Sequence, residues 1–359
     1  MKNIALAGLL FIAMCSCCFA QKTNGKLITW EATDNHGKTK LTVEGEVTIS
    51  DDDQRITAIS KNGSISFEQK SATLEVTPAS DGTLLYRINK KQKTVLDAHD
   101  EQLLTSVVEM MISRGINAES RTKRLYTQGG SAAVLQELPK LHGDYARQKY
   151  LSALLNLGIN SAEMVQLLEN SGRYLSSDYY HAELLADVMK TSLMEEATFK
   201  AYLTIVRDMK SDYYQYTTLQ KLMKATLTTE QTASVVGIVK TMQSDYYQAE
   251  VYQDLLKQEA FGGAAFNETL EMVFAMNSDY YKSEIIKNLI KRKLTEDNWA
   301  GLIGYASKIG SDYYQSELLL NIADKMPQNE ALKKSLNEAA KAIKSEYYYG
   351  KLMRKLAAS

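Results

Sequence analysis

Cysteine is absent from most of this 359-residue chain. Cys15, Cys17 and Cys18 are the three it has, and all lie in the opening MKNIALAGLLFIAMCSCCFA. That opening has one Lys, an apolar run and a small-residue end. The run is shorter than the ~20 apolar residues a spanning helix needs, so it reads as a secretory signal peptide cut after Ala20. A lipoprotein reading, with lipid on Cys15 or Cys17, competes with it, although Met14 is large for the position before a lipidated cysteine. A chain cut at that point keeps no thiol, which excludes disulfides, cysteine-zinc sites and a cysteine nucleophile. The expected location is periplasmic or secreted.

Other absences narrow the function. There is no GxSxG elbow, phosphate-binding glycine loop, GxGxxG or HExxH. The four histidines, His36, His99, His142 and His181, are scattered singly, which suits surface or core residues better than metal ligands. Asp51-Asp52-Asp53 lacks the spaced ligands and closing Glu of a calcium loop and reads as a polar turn. No catalytic residue, metal ligand or cofactor is expected. The formal net charge of −1 argues against a nucleic-acid surface. The basic C-terminal residues, Lys333 to Lys355, read as a solvated end cap. No run after the first 20 residues approaches a membrane span.

What the chain does have is a repeat. Units like Ser244–Leu256, SDYYQAEVYQDLL, start at Gly143, Ser177, Ser211, Ser244, Ser278, Ser311 and Ser345, at spacings of 33 or 34 residues. A fixed period of this size marks a repeat architecture. Counting the first residue as zero, apolar side chains recur at positions 7, 8, 11 and 12, such as Val251, Tyr252, Leu255 and Leu256. Those steps share one side of a helix. Small residues at position 5 (Ala182, Ala249, Ser283, Ser316) imply a close helix approach, which Tyr216 interrupts. The Ser-Asp start reads as an N-cap followed by a carboxylate at the positive helix end. A second helix fits between successive starts, with capping-box spacing at Asn160–Glu163, Ser192–Glu195 and Thr228–Gln231. Each period is therefore an αα-hairpin too small to cover its own apolar face.

Before the array the texture changes. Leu27–Trp30, Leu41–Ile49, Ile56–Ser60, Ser64–Phe67, Leu74–Thr77 and Leu84–Ile88 are β-rich runs. They are separated by turn signals at Asn35–Gly37, Asp51–Asp53, Asn62-Gly63 and Asp81-Gly82. Asn-Gly between such runs is a hairpin cue. The fold class is thus α+β: a small N-terminal antiparallel β-meander of six or seven strands, then an α-solenoid of about seven αα-hairpins. The boundaries fall at 1–20 (signal peptide), 21–97 (β-rich), 98–130 (a helical cap over the open end of the array) and 131–359 (solenoid).

The tyrosines are the unusual feature. Position 3 (Tyr180, Tyr214, Tyr247, Tyr281, Tyr314, Tyr348) lies one turn before position 7 and is expected against the buried face. Position 2 (Tyr145, Tyr179, Tyr213, Tyr246, Tyr280, Tyr313, Tyr347) projects beside polar positions, as a ladder roughly 50–60 Å long. Two readings stay open. Each ring covers the join to the next hairpin, or the ladder is an exposed track for an extended peptide or glycan.

Through the SDYY units the chain resembles α-helical-hairpin solenoids of the HEAT and tetratricopeptide kind, though the tetratricopeptide Trp, Gly and Pro positions are not met. Through ITAISKNGSISFEQ, GGSAAVLQELPKL and the SDYY units it also resembles exported bacterial proteins that join a β-rich segment to hairpins with a (Gly/Ser)-Asp-Tyr start. Similar segments accompany membrane zinc-peptidase antibiotic sensors. The resemblance implies a fold and, without HExxH, a sensory or binding role. The expected function is a non-catalytic exported scaffold that docks a protein or extended polymer. An envelope enzyme or accessory acting on glycan, or a sensory module, is the alternative.

Overall fold

The computed structural model describes residues 22–23, 26–34, 37–191, 195–262 and 264–357. The signal-peptide segment, Asn35, His36 and Ser192 lie outside them. The chain forms two compact units, one ending at Gly158 and one beginning at Ile159. The expected boundaries near residues 97 and 130 both fall inside the first.

The first unit is built on an antiparallel seven-stranded sheet. Its strands are β1 (Lys22–Thr23), β2 (Lys26–Asp34), β3 (Gly37–Glu44), β6 (Ser64–Gln69), β7 (Ala72–Pro78), β8 (Leu84–Ile88) and β9 (Lys91–Lys93), hydrogen-bonded in that order. A separate hairpin of β4 (Val47–Ile49) and β5 (Ile56–Ile59) is inserted between β3 and β6. Alternation sends Leu41 and Val43 of β3, Ile65 and Phe67 of β6 and Leu74 and Val76 of β7 to one buried face. Helix α1 (Ala98–Ser113) lays Leu104, Val107, Val108 and Met111 into the same core. The sheet thus has one covered face, as antiparallel sheets commonly do.

Two sequence expectations change here. The run Leu41–Ile49 is not one strand, because it breaks at Gly45, whose φ is +80°. Asn62-Gly63 does not close a hairpin, since β5 pairs with β4 whereas β6 pairs with β3 and β7. Gly63 is needed for space. A Cβ there would sit 2.6 Å from the Glu44 carbonyl oxygen, and one on Gly45 would sit 2.9 Å from the Gly63 Cα. The two glycines let the inserted hairpin leave and rejoin the sheet at one point.

Helix α2 (Ala118–Leu135) breaks at Gly129 and Gly130, which are out of helical conformation, and it packs on α3 (Asp144–Leu155). The Asp51–Asp53 turn reaches α2 through arginines. Arg121 Nε donates to Asp53 Oδ2 at 2.8 Å, Arg121 Nη2 donates to Glu137 Oε2 at 2.8 Å, and Arg124 Nη2 donates to Asp53 Oδ1.

The second unit is a helical solenoid. Its first-of-pair helices are α4 (Ser161–Tyr174), α6 (Glu196–Asp208), α8 (Thr229–Val239), α10 (Ala264–Ala275), α12 (Glu296–Ala306) and α14 (Glu330–Ala340). The SDYY helices are α5 (Asp178–Val188), α7 (Asp212–Leu222), α9 (Asp245–Leu255), α11 (Asp279–Leu289), α13 (Asp312–Lys325) and α15 (Glu346–Ala357). Each helix packs on its equivalent one period away, giving two layers. The apolar stripe lies between them: Leu184, Leu185, Val251, Tyr252, Ile286, Leu289, Leu318 and Leu319 are all buried. Burying each such side chain stabilises by roughly 1.5–3 kcal/mol, so the stripe supplies most of each hairpin's hold. The boxes at Asn160/Glu163 and Thr228/Gln231 form, with a further one at Thr295/Asn298. At the Ser192–Glu195 spacing the helix instead begins at Glu196, with Glu195 as its N-cap.

Candidate docking face of the solenoid

The Ser-Asp start does more than cap. Ser211 and Ser311 make no side-chain cap bond, and the Ser244 and Ser278 hydroxyls accept from Tyr247 and Tyr281 N–H only at 3.5 Å. The Asp side chain reaches forward into the next hairpin. Asp178 Oδ2 accepts from the Lys210 and Ser211 N–H groups at 2.9 and 2.8 Å, and Asp212 Oδ2 from Gln243 and Ser244 at 2.9 and 2.6 Å. Asp245 Oδ2 does the same to Asn277 and Ser278 at 2.9 and 2.7 Å, and Asp279 and Asp312 repeat the bond to Ser311 and Ser345. These N–H groups open the next helix and have no partner within it. The last unit carries Glu346 in place of Asp.

Two more ties escaped the sequence reading. At position 4, Gln215 and Gln248 are buried. Gln215 Nε2 donates to the Val206 and Met209 carbonyls, and Gln248 Nε2 to those of Val239 and Met242, closing the preceding helix's C-terminus. His181 replaces them in its unit, with Nε2 3.2 Å from the Ser171 carbonyl. A carbonyl only accepts, so that ring nitrogen carries the proton. At position 14, Gln258 reaches back to the Met223 and Ala225 carbonyls, and Arg292 to those of Leu256, Gln258 and Phe261. The five SDYY helices that begin with Asp are therefore tied forward at their starts, and α9 and α11 are also tied back at their ends.

These ties fix the tyrosines. Position 2 rings Tyr179, Tyr213, Tyr246, Tyr280 and Tyr313 are 46–50 % exposed, and Tyr347 is 69 % exposed. Position 3 rings are half-buried where the sequence places them against the buried face, and in four units the buried residue of that turn is position 4, as His181, Gln215, Gln248 and Gln315. Instead they join the ladder. Tyr246 meets Tyr247 of its own helix edge-on at 5.0 Å and Tyr281 of the next at 6.2 Å. The same alternation runs from Tyr179 and Tyr180 to Tyr347 and Tyr348, with steps of 5.0–5.1 Å within a unit and 5.8–6.3 Å between units. Tyr216, the exception at position 5, lies tilted over Tyr247 at 5.6 Å. Tyr145 belongs to the first unit; it is half-buried, with the Lys149 ammonium 5.6 Å from its ring, and burial raises its hydroxyl pKa.

Both sequence readings of the ladder stay open: Tyr179, Tyr213, Tyr246, Tyr280 and Tyr313 each touch a ring of the next hairpin and keep about half their surface in water. Edge-on aromatic pairs contribute ~0.5–1.5 kcal/mol each. Tyr246→Ala should cost about 1–2 kcal/mol, whereas Tyr246→Phe should stay within ~0.5 kcal/mol because the contacts use ring and not hydroxyl. Urea unfolding of both variants checks this, and an alanine variant as stable as the parent would remove the ring from the joint.

Next to the tyrosines, one turn along each helix, position 6 places Glu183, Glu250, Glu284 and Glu317. Lysines follow at position 13: Lys190, Lys224, Lys257 and Lys291, all exposed. The exposed side is aromatic at the helix starts, acidic in the middle and basic at the far end. Among the described residues no group of three His, Cys, Asp or Glu side chains could hold a metal ion, and no helix is long and apolar enough to cross a membrane. A shallow depression between α12 and α14, lined by Ala300, Ile303, Gly304, Ser307, Glu338 and Ala342, contains one carboxylate.

The fold defines a helical-repeat protein with an N-terminal antiparallel sheet. The chain matches no family profile, no curated protein sequence and no solved structure.

Proposed function

We propose that the protein is an exported, non-catalytic scaffold that docks a protein or extended polymer along the tyrosine side of its solenoid. One observation carries the reading: tyrosines 46–69 % exposed in equivalent places on the six SDYY helices. A packing role alone asks for contact, which the inner edge of each ring supplies. The outer half remains free to meet a ligand, and many equal small contacts suit a long partner better than a small substrate. Tyrosine gives large rigid area at low entropic cost and keeps a polar tip for a hydrogen bond.

Tyrosine nitration is the test. The protein is treated with a nitrating reagent alone and with envelope extract, and modified residues are mapped by mass spectrometry. Ladder tyrosines should be shielded by extract while Tyr145 is unchanged, and the Tyr213→Ala/Tyr246→Ala/Tyr280→Ala variant should lose the shielding of Tyr179 and Tyr313. Equal nitration with and without extract overturns the reading.

A further inference from the structure

We infer that the tyrosine row takes an extended, cationic, proline-rich peptide in the polyproline II conformation. This rests on the docking reading above and names its ligand.

Spacing is the first argument. Packed neighbouring helices stand ~8–10 Å apart, and each SDYY helix adds one outward ring. A polyproline II chain turns once every three residues and rises ~3.1 Å per residue, so one of its sides repeats about every 9 Å. It can present the same side chain to every rung. A β-strand cannot, since side chains on one face recur about every 6.6–6.8 Å and the third residue points away. An α-helix would need an apolar groove along its length, but beyond the tyrosines these helices offer Glu and then Lys.

Shape is the second. Successive rings stand edge to face at interplanar angles of 60–68° from Tyr179 to Tyr314. Between units Tyr246 meets Tyr281 at 6.2 Å and Tyr280 meets Tyr314 at 6.1 Å, so the row shows ring edges and faces by turns. Aromatic surfaces are what proline-rich segments dock on. Polyproline II backbone makes no internal hydrogen bonds, so its carbonyls are open to phenol hydroxyls.

Charge is the third. The acidic row of Glu183, Glu250, Glu284 and Glu317 runs beside the tyrosines, and the lysine row lies nearly two helical turns farther. Within the row Glu284 is paired with Lys287 at 3.0 Å and Glu317 with Lys351 at 2.7 Å, so a ligand centred on the rings meets the Glu183 and Glu250 carboxylates first. This favours Lys or Arg at every third position and disfavours an anionic glycan.

The test measures binding of fluorescent (Pro-Pro-Arg)5 to the protein, with (Gly-Gly-Arg)5 as a partner of equal charge but no preformed helix. (Pro-Pro-Glu)5 and chitohexaose complete the set. The expected result is that (Pro-Pro-Arg)5 binds at least tenfold more tightly than the other three. Tyr213→Ala/Tyr246→Ala/Tyr280→Ala should weaken it at least tenfold. Glu183→Gln/Glu250→Gln, which leaves the ring contacts intact, should weaken it threefold or more with an unchanged melting profile. Equal binding of the glycine peptide means charge alone and overturns the proposal, as does preferred binding of chitohexaose or no binding of (Pro-Pro-Arg)5. If the peptide fails while extract still shields the ladder from nitration, the docking surface stands and only its ligand is wrong.

Discussion

Replacing Asp245 with alanine should cost about 2–4 kcal/mol and split the unfolding of the solenoid into two steps. The carboxylate oxygen accepts from both Asn277 and Ser278 N–H groups at 2.9 and 2.7 Å. Bonds to a charged acceptor contribute about 1.5–3 kcal/mol each, and partial access of water lowers the pair toward the bottom of its combined range. More follows from where the loss falls. In a repeat array, stability is a sum of hairpin terms and nearest-neighbour joints, and cooperativity passes only through the joints. Weakening the α9–α11 joint uncouples the hairpins before it from those after it. Urea unfolding should show a broadened or biphasic transition, and hydrogen exchange should show the Ser278 amide losing protection ahead of Ser244. Asp254→Ala on the same helix is the control. Asp254 pairs with the exposed Lys257 at 2.7 Å, and its loss should stay within ~0.5 kcal/mol. A single sharp transition in Asp245→Ala, at the parent's midpoint, would leave the Asp row with no part in the stacking.

That row shows how far the sequence could be followed. The apolar stripe was legible because a helix face is a local property, set by steps of three and four residues. Val251, Tyr252 and Leu255 are buried as the stripe requires. The capping boxes were legible for the same reason, being three-residue patterns. Ser-Asp fits a local pattern too, and that concealed its longer bond: the oxygen of Asp245 is used 32 and 33 residues away. A period shows that equivalent residues have equivalent neighbours but not which neighbours they are. The same gap hid Gln248, whose polar side chain at position 4 is buried. In the sheet unit, Asn62-Gly63 carried the residues of a hairpin turn. Their partners were fixed by contact between Gly45 and Gly63, distant in sequence. The position 2 tyrosines, Tyr145 to Tyr347, were read from the period and their polar neighbours, whereas the edge contacts with position 3 needed the spacing between hairpins.

The same blindness to distant partners hid Arg121, and its replacement carries the second large expected effect. Its side chain is 9 % exposed and holds three groups at once: Asp53 at 2.8 Å, Glu137 at 2.8 Å and the Tyr150 hydroxyl at 3.3 Å. Asp53 has φ +59°, a left-handed conformation that Asp adopts more readily than most residues other than glycine. Arg121→Ala takes one partner from each of two carboxylates in a largely dry setting and leaves Asp53 with Arg124 and Glu137 with Lys140; breaking a buried pair outright costs about 3–5 kcal/mol, and the partners that stay bring the expected loss to the bottom of that range. Arg124→Ala should cost less, since Arg124 shares Asp53 with Arg121 and otherwise reaches the Ser50 carbonyl and exposed Asp51. The effect should also depend on pH. Burial pushes the Glu137 carboxyl up, but bonds from Lys140 and Arg121 outweigh it and hold the group below its ordinary value of 4.5. A depressed carboxylate stabilises fully above that ordinary value, and the contribution is lost as pH falls through the lower folded value. Arg121→Ala removes part of the depression, so its stability should fall less steeply than the parent's below about pH 4.5. Urea midpoints at pH 7 and along an acid titration measure both effects, and a variant within 1 kcal/mol of the parent at pH 7, with the same acid slope, would show that α2 is held to the Asp51–Asp53 turn by packing and not by charge.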